Sequence, residues 1–191
     1  MDPIKLFKDW LTEELKLATV RIPTACCLST NGLDIFPNAR FVSFKEIIDN
    51  KFIITGPLSS RKGIEIENLN KVALTFWWTE TERQVRIQGE AILISDKQAE
   101  KYFDERNFES KIVSSICEQG QFLMSLSLLN ERFSKMEEEY KGKFIKRPLN
   151  WGGYMINSVR IEFMKFKPTR FHERILFQRE DEQWIINQLQ P

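Results

Sequence analysis

Apolar residues near the start of the chain recur every three or four positions, which is the period of a helix. Ile4, Phe7, Leu11 and Leu15 fall on one helical face, with polar residues between them. Asp2 before Pro3 supplies a helix cap followed by a proline at the first helical position. The pattern predicts an amphipathic helix over residues 3–17.

The next part of the chain has short apolar runs separated by turn signals, a pattern typical of strands. The runs predict strands over 25–29, 39–47 and 51–55, with turns at 30–32 and 49–50 and a break at Gly56-Pro57. Ser59-Ser60 predicts the cap of a helix over 61–68. Arg61 and Lys62 would lie in its first turn. Positive side chains are unfavourable there, because the helix dipole is positive at its N-terminus, unless an anion binds.

Two further strands are predicted from a dense apolar run over 72–78 and from apolar–polar alternation over 83–94. Gly89 within the second indicates a bulge or a close approach of backbone. From Asp96 the spacing of the apolar residues becomes helical, and the same spacing over residues 129–140 predicts a further helix. Tyr102, Arg106 and Ser110 would share a helical face if one helix continued through Asn107. Strands are predicted over 154–166, 174–179 and 183–188.

Residues 170–174 hold the only histidine of the chain. On an extended strand, Arg170, His172 and Arg174 would point to one side. Three such groups favour a site for an anion, although a solvated face of an edge strand explains the same spacing.

The order of helix, strands, helices and strands predicts an α+β fold built on an antiparallel sheet or barrel. No internal repeat, low-complexity segment or domain boundary interrupts the sequence, so we expect one domain over residues 1–191. The absence of regular βαβ alternation argues against a doubly wound fold.

Composition narrows the classes of protein without identifying one. The chain is 42% hydrophobic and 29% charged with a formal net charge of +1, so no overall field attracts nucleic acid or a membrane. Three cysteines, no C-x-x-C pair and no signal-like start favour free thiols in a reducing cytoplasm. One histidine and scattered cysteines make a metal site unexpected, and no apolar run is long enough to span a bilayer.

Few residues offer acid–base or nucleophilic chemistry. The chain has no glycine-rich phosphate loop and no G-x-S-x-G elbow, and nothing near Cys117 in the sequence would activate it as a nucleophile. Basic residues are instead spread singly along the chain. If they converge, they suit phosphorylated ligands and an enzyme whose chemistry belongs to an organic cofactor; if not, they are surface residues that aid solubility.

Several short motifs in a fixed order resemble those of the pyridoxine/pyridoxamine 5′-phosphate oxidase family. They run nearly end to end: Ser60-Arg-Lys-Gly63, Glu82-Arg-Gln-Val85, Lys101-Tyr-Phe103, Trp151-Gly-Gly-Tyr154, Ile161-Glu-Phe163 and Arg170-Phe-His-Glu-Arg174. The resemblance implies a six-stranded antiparallel Greek-key split β-barrel with flanking helices. It also implies a homodimer with FMN at the interface, which oxidises pyridoxamine or pyridoxine 5′-phosphate to pyridoxal 5′-phosphate while O2 becomes H2O2.

The resemblance also assigns roles to residues. Lys45, Tyr102, Arg106 and Ser110 match a phosphate clamp for the substrate, and Arg170 and His172 match the catalytic pair over the substrate ring. The matches to cofactor contacts are Arg40, Phe41, Val42, Ser43, Phe44, Lys45, Ile54, Thr55, Arg61, Lys62, Gln84, Gln119, Gly120, Trp151 and Arg174. Among these, Gln119, Trp151 and Arg174 are expected across or beside the subunit interface.

Four departures from the family pattern leave alternatives open. The chain starts at the first helix, without an arm that could cover the substrate; Ile54 replaces a tyrosine; the loop before Ser60 is one residue longer; and Gly120 replaces a serine. These changes also fit a flavin or B6-phosphate binding protein without turnover, or an FMN oxidoreductase acting on another substrate such as a phenazine precursor.

Overall fold

A computed structural model describes residues 1–191, which form five helices and eight strands. In chain order the elements are α1 (Pro3–Leu17), β1 (Ala25–Asn31), β2 (Pro37–Ile48), β3 (Lys51–Pro57), α2 (Arg61–Asn68), β4 (Lys71–Trp78), β5 (Arg83–Leu93), α3 (Asp96–Asp104), α4 (Phe108–Ile116), α5 (Leu126–Tyr140), β6 (Trp151–Lys165), β7 (Glu173–Glu180) and β8 (Gln183–Leu189). The predicted α+β class is confirmed.

Six antiparallel strands close into a barrel. The sheet runs β3-β2-β1-β4-β5-β6-β7-β8, and an additional pairing of β3 with β6 closes the first six strands. Strand β6 is long enough to pair with β3 over residues 151–157 and with β7 over residues 160–165. Strands β7 and β8 therefore extend the sheet beyond the barrel, and the expected six-stranded barrel with flanking helices is confirmed.

Aromatic side chains fill the barrel and fix α1 against it. Phe7 of α1 is fully buried, with its ring centroid 4.9 to 5.7 Å from those of Phe44, Phe52, Phe76 and Trp78. These edge-on and tilted contacts are the geometry that aromatic pairs prefer. The predicted amphipathic helix over 3–17 is confirmed, with Asp2 capping it through the backbone N–H of Ile4.

A second apolar cluster lies between the outside of the barrel and helices α3 and α4. Ile53, Phe103, Ile112 and Trp151 are all fully or almost fully buried there, and the rings of Phe103 and Trp151 are 5.1 Å apart. This cluster fixes the position of α3 and α4 beside the ends of β2 and β3. None of the helices has the length and apolar composition that crossing a membrane requires.

Two predicted elements differ in ways that affect the site. The helix expected to continue from Asp96 through Asn107 breaks, because the Asn107 side chain accepts from the backbone N–H of Ser110 and caps a new helix, α4. Residues 170–172 do not extend β7. Arg170 has a φ of 68°, its N–H donates to the carbonyl of Lys167, and the resulting turn ends before Glu173.

Three local features of strands β1, β3 and β5 also bear on the sequence predictions. Thr30 belongs to β1 rather than to a turn, and β3 continues through Gly56 and Pro57, which pair with β6, instead of breaking after Thr55. The bulge expected at Gly89 is confirmed by a register shift after Gln88. A Cβ on Gly89 would lie 2.4 Å from the carbonyl oxygen of Asn157, so only glycine fits this crossing.

Candidate functional site

A cavity of about 500 Å³ lies between strands β2 and β3, helix α2 and the segment that follows α4. It brings together predicted site residues that are distant in the sequence. The predicted residues in its wall are Arg40, Phe41, Val42, Thr55, Arg61, Lys62, Arg106, Gln119, Gly120 and Trp151.

Two of the cavity arginines are held by one buried carboxylate, that of Glu65 on α2. The Glu65 side chain is fully buried and accepts from Arg40 at 2.9 Å, from Arg61 at 2.8 Å and from the hydroxyl of Thr30 at 2.5 Å. Burial alone would raise the pKa of Glu65, but the bonds from Thr30, Arg61 and Arg40 outweigh it and hold that pKa below its usual value. Arg61 also pairs with Asp34 at 2.7 Å, so the charges of both arginines are balanced.

Lys62 differs from these arginines because no carboxylate pairs with it. Its ammonium donates to the hydroxyl of Ser60 at 2.7 Å and to the side-chain oxygen of Gln119 at 2.6 Å. Burial, and then the nearby positive charge of Arg40, lower the pKa of Lys62 to about 8. An anion in the cavity would therefore relieve an electrostatic cost that the protein already bears.

Arg106 is a second cation without an acidic partner. It lies in the short segment between α3 and α4, with its guanidinium 5.1 Å from the ring centre of Trp151. It donates to the carbonyl of Ser110 at 3.1 Å and to the hydroxyl of Ser114 at 3.2 Å. Burial lowers the pKa of Arg106. The N–H groups at Arg106 Nε and Trp151 Nε1 are buried without acceptors, so the wall between them offers unused donors.

Lys45 lies beside Arg106 and completes a group of unpaired cations. Burial, followed by the charge of Arg106, lowers the pKa of Lys45, and no carboxylate forms an ion pair with it. Tyr102 of the same predicted clamp is buried, and its hydroxyl donates to Glu46 at 2.7 Å. The clamp residues therefore gather at one place, although Tyr102, Arg106 and Ser110 lie on three successive segments and not on one helix.

The remaining predicted contacts form a second group on the outer face of the sheet. Gln84 is paired with Met164 and Met164 with Arg174, so these residues form a row across β5, β6 and β7. Arg174 pairs with Glu162 at 2.6 Å. None of Gln84, Arg170, His172 and Arg174 lines the cavity.

His172 is held beside this row by Phe166, whose ring centroid is 4.8 Å away, and Phe166 packs against Trp77 at 4.9 Å. The backbone N–H of Lys167 donates to His172 Nδ1 at 3.1 Å. In the neutral ring the proton is therefore on Nε2, which can donate to a ligand.

Besides Gln84 and Arg174, four predicted cofactor positions offer no side chain to the cavity: Ser43, Phe44, Lys45 and Ile54. Phe44 and Ile54 are buried in the barrel core, and Ser43 pairs with Ala25 on β1 outside the cavity wall. Contacts from Phe44 and Ile54 to a ligand would have to come from the backbone. Ile54, which stands where the family pattern has a tyrosine, therefore places an apolar side chain in the core.

Sequence reasoning missed three residues that shape this site. Glu65 follows Arg61 by four positions on α2, a spacing that predicts an ion pair and could have identified it. Ser114 follows Ser110 by one helical turn, but its bond to Arg106 depends on the break between helices. Glu46 carries no comparable signal, because it reaches Tyr102 from another element.

Comparison with known proteins gives two family matches that together span most of the chain. Residues 11–139 match the model described as pyridoxamine 5′-phosphate oxidase. Residues 151–191 match the model described as the pyridoxine 5′-phosphate oxidase C-terminal dimerisation region. The second match includes Trp151, Arg170, His172 and Arg174, and supports assembly as a homodimer.

Curated relatives match over the whole chain. A pyridoxine/pyridoxamine 5′-phosphate oxidase of Leptospira biflexa is 38% identical over 190 residues, covering 100% of this chain and 89% of its own. A protein of the same name from Bacteroides thetaiotaomicron is 38% identical over 191 residues, with the same coverage of both chains.

Solved structures share the fold. PhzG from Burkholderia lata 383, in complex with tetrahydrophenazine-1-carboxylic acid, superposes with a TM-score of 0.93 at 28% identity, covering 100% of this chain and 93% of its own. A pyridoxamine 5′-phosphate oxidase-related, FMN binding protein from Nostoc punctiforme gives 0.81 at 14% identity, covering 100% and 98%, and supports the fold alone. With the full-length relatives and the family matches, these findings show that the chain belongs to the pyridoxamine 5′-phosphate oxidase family.

Proposed function

We propose that this protein is an FMN-dependent oxidase that converts pyridoxamine or pyridoxine 5′-phosphate to pyridoxal 5′-phosphate, with O2 reduced to H2O2. The observation that carries the proposal is a pair of adjoining places where cations, two of them partly buried, lack acidic partners. Lys62 marks one place, in the cavity, and Lys45 with Arg106 marks the other. A cofactor and a substrate that each bear one phosphate would balance both.

The residues of the cavity suit FMN. Lys62 and Arg61 lie at the start of α2, where backbone N–H groups also favour a phosphate, and Trp151 leaves its indole N–H unused in the wall. When bound, FMN would supply the two-electron chemistry, taking hydride from the substrate carbon and returning electrons to dioxygen. The chain itself holds both phosphates and keeps the reacting groups in register.

The second group of predicted residues is proposed to act from the partner subunit. Gln84, Arg170, His172 and Arg174 do not line the cavity of their own chain, and the dimerisation-region match covers the last three. In a two-fold dimer each copy can complete the site of the other. His172 would then present its Nε2 proton to the substrate, and Arg170 its positive charge.

Anaerobic titration of the purified, FMN-loaded protein tests the proposal. We expect pyridoxamine 5′-phosphate to bleach the flavin absorbance, and air to restore it with formation of pyridoxal 5′-phosphate and peroxide. Bound FMN that neither vitamer phosphate bleaches would contradict the oxidase and favour a binding protein without turnover.

A second candidate is an FMN oxidoreductase acting on a tricyclic substrate. This candidate is supported by the superposition with PhzG, whose structure contains tetrahydrophenazine-1-carboxylic acid. The clamp cations favour a phosphorylated substrate instead, because a carboxylate carries less charge than a phosphate. Bleaching by a dihydrophenazine carboxylic acid, but not by B6 phosphates, would assign the second activity.

A further inference from the structure

The hydroxyl of Tyr102 is already engaged in the free protein. It donates to Glu46 at 2.7 Å, and the same carboxylate oxygen is 3.4 Å from the ammonium of Lys101. Tyr102 is only 2% exposed, so its ring is fixed by packing. A phenol has one proton to donate, and here a carboxylate takes it. Tyr102 therefore cannot donate to a ligand phosphate while it donates to Glu46.

A β-bulge explains how Glu46 reaches this position. Strand β2 pairs with β3 at Phe44↔Ile54 and again at Ile47↔Phe52, so Lys45 and Glu46 together oppose only Ile53. Two residues against one is the signature of a bulge, which re-aims side chains beside many active sites. Neighbouring residues of a regular strand would face opposite sides. At the bulge, Lys45 instead lies near Arg106 while Glu46 contacts Tyr102.

The carboxylate of Glu46 places negative charge beside the Tyr102 hydroxyl, with the ammonium of Lys101 3.4 Å away. The bond from Tyr102, aided by Lys101, holds the pKa of Glu46 below its usual value, so the group stays ionised at neutral pH. It makes no ion pair with Lys45 or Arg106. A phosphate that accepts from the Tyr102 hydroxyl would lie near Glu46, would be repelled by it and would compete with it for the Tyr102 proton.

We infer that Glu46 is a specificity-determining residue that weakens the binding of phosphate monoesters by holding the Tyr102 hydroxyl as an internal competitor. The inference rests on the proposed function, since it takes Lys45, Tyr102 and Arg106 as the substrate clamp. Ligand binding then requires Tyr102 to exchange one acceptor for another. The Glu46 carboxylate would then lower the affinity for the substrate phosphate without contacting the reacting end of the substrate.

Calorimetric titration of the FMN-loaded homodimer with pyridoxal 5′-phosphate and, separately, with inorganic phosphate tests this inference. Glu46→Gln should tighten both ligands roughly three- to tenfold, the range expected for removing one nearby like charge and replacing a charged acceptor by a weaker, neutral one. KM for pyridoxamine 5′-phosphate should fall to a similar extent while kcat is unchanged. Such a split would not arise from a purely structural role.

Glu105→Gln is the matched control, because Glu105 lies 3.9 Å from the same Lys101 and acts on Lys45 and Tyr102 only through its charge. Its effect should be smaller than that of Glu46→Gln. A double-mutant cycle with Tyr102→Phe measures how much of the effect depends on the Tyr102 hydroxyl. In the Tyr102→Phe background, Glu46→Gln should tighten the ligands no more than Glu105→Gln does.

Three results would overturn the inference: Glu46→Gln that binds both ligands no tighter than wild type, equal effects of the two glutamate changes, or an excess that persists without the Tyr102 hydroxyl. Wild-type protein that binds FMN and phosphate but turns over neither vitamer phosphate would contradict the proposed function alone. The phosphate titration would still be readable, because it requires no turnover.

Discussion

Arg40 on β2 and Glu65 on α2 meet at 2.9 Å, and this pair joins the strand and the helix that form two sides of the cavity. The carboxylate of Glu65 is fully buried, so it is costly unless its donors stay in place. The cavity wall therefore depends on a residue that a ligand would not touch.

We predict that Glu65→Gln destabilises the fold and weakens FMN. Removing the charge leaves Arg40 and Arg61 without their shared partner, which should lower the free energy of unfolding by about 3 kcal/mol at pH 7. Urea denaturation measures this loss. Glu67→Gln on the same helix is exposed, and should change stability by less than about 0.5 kcal/mol.

The same variant has a predicted pH dependence. Because the pKa of Glu65 is depressed in the folded protein, its contribution is present above the unfolded pKa and is lost as the pH falls through the folded value. Wild type and Glu65→Gln should therefore converge in stability under acid. A gap that stays constant from neutral to acid pH would contradict the pKa shift.

The affinity for FMN should depend on the charge of Lys62. Its pKa of about 8 in the free protein would rise when a phosphate binds, so FMN affinity should fall as the pH rises above about 8. Lys62→Ala should weaken FMN roughly ten- to a hundredfold at pH 7. It should also flatten the pH profile.

Fluorescence quenching of free FMN follows both effects, with Lys8→Ala on the exposed face of α1 as the control. A wild-type profile that stays flat through pH 9 would show that Lys62 does not bear the phosphate charge.

Arg106 should serve substrate more than cofactor. Arg106→Ala is predicted to raise KM for pyridoxamine 5′-phosphate roughly tenfold or more, through loss of a charged bond, while FMN stays bound. Ser114→Ala, which removes only one bond that orients Arg106, should raise KM by a smaller factor. Steady-state kinetics with the flavin content of each variant separates the two roles, and loss of flavin from Arg106→Ala would contradict the assignment.

Mixing two impaired variants, at an FMN concentration too low to load Lys62→Ala, tests whether the sites are shared between subunits. Lys62→Ala affects the cavity, whereas Arg174→Ala affects the outer row of the sheet. Random exchange of subunits should produce heterodimers in which one site carries both changes and the other neither. About a quarter of wild-type activity should then return. Mixtures that remain as weak as the separate variants would place both residues in one chain's site.

Helix caps and apolar periodicity predicted the helices and strands more accurately than the segments that connect them. The bounds of α1 and α2 agree with the positions that Asp2, Pro3 and Ser60 indicate, although the Ser60 hydroxyl donates to the carbonyl of Pro57 and does not cap α2. The break at Asn107 was missed because the apolar period continues on both sides of it. The turn at Arg170 was missed because a left-handed residue there is not marked by glycine or asparagine.

The site was predictable only where the family resemblance supplied it. Local patterns do not show that Lys45, Tyr102 and Arg106 come together, since the bulge in β2 and the break between α3 and α4 decide it. Helical spacing indicates the Arg61–Glu65 ion pair, but nothing in the sequence shows that Lys62 has no carboxylate partner. Arg61 and Lys62 are adjacent and alike, yet only Arg61 has carboxylate partners.

The packing of Phe7 against Phe44, Phe52, Phe76 and Trp78 decides where any ligand can lie. A barrel filled by rings has no open bore, unlike the wider barrels that carry their cargo inside. Flat aromatic cofactors must instead rest against the outer wall, where one side stays open to water. Under the proposed function a second copy supplies the enclosure on that side, so association would be part of the chemistry and dilution to monomers would lower the activity.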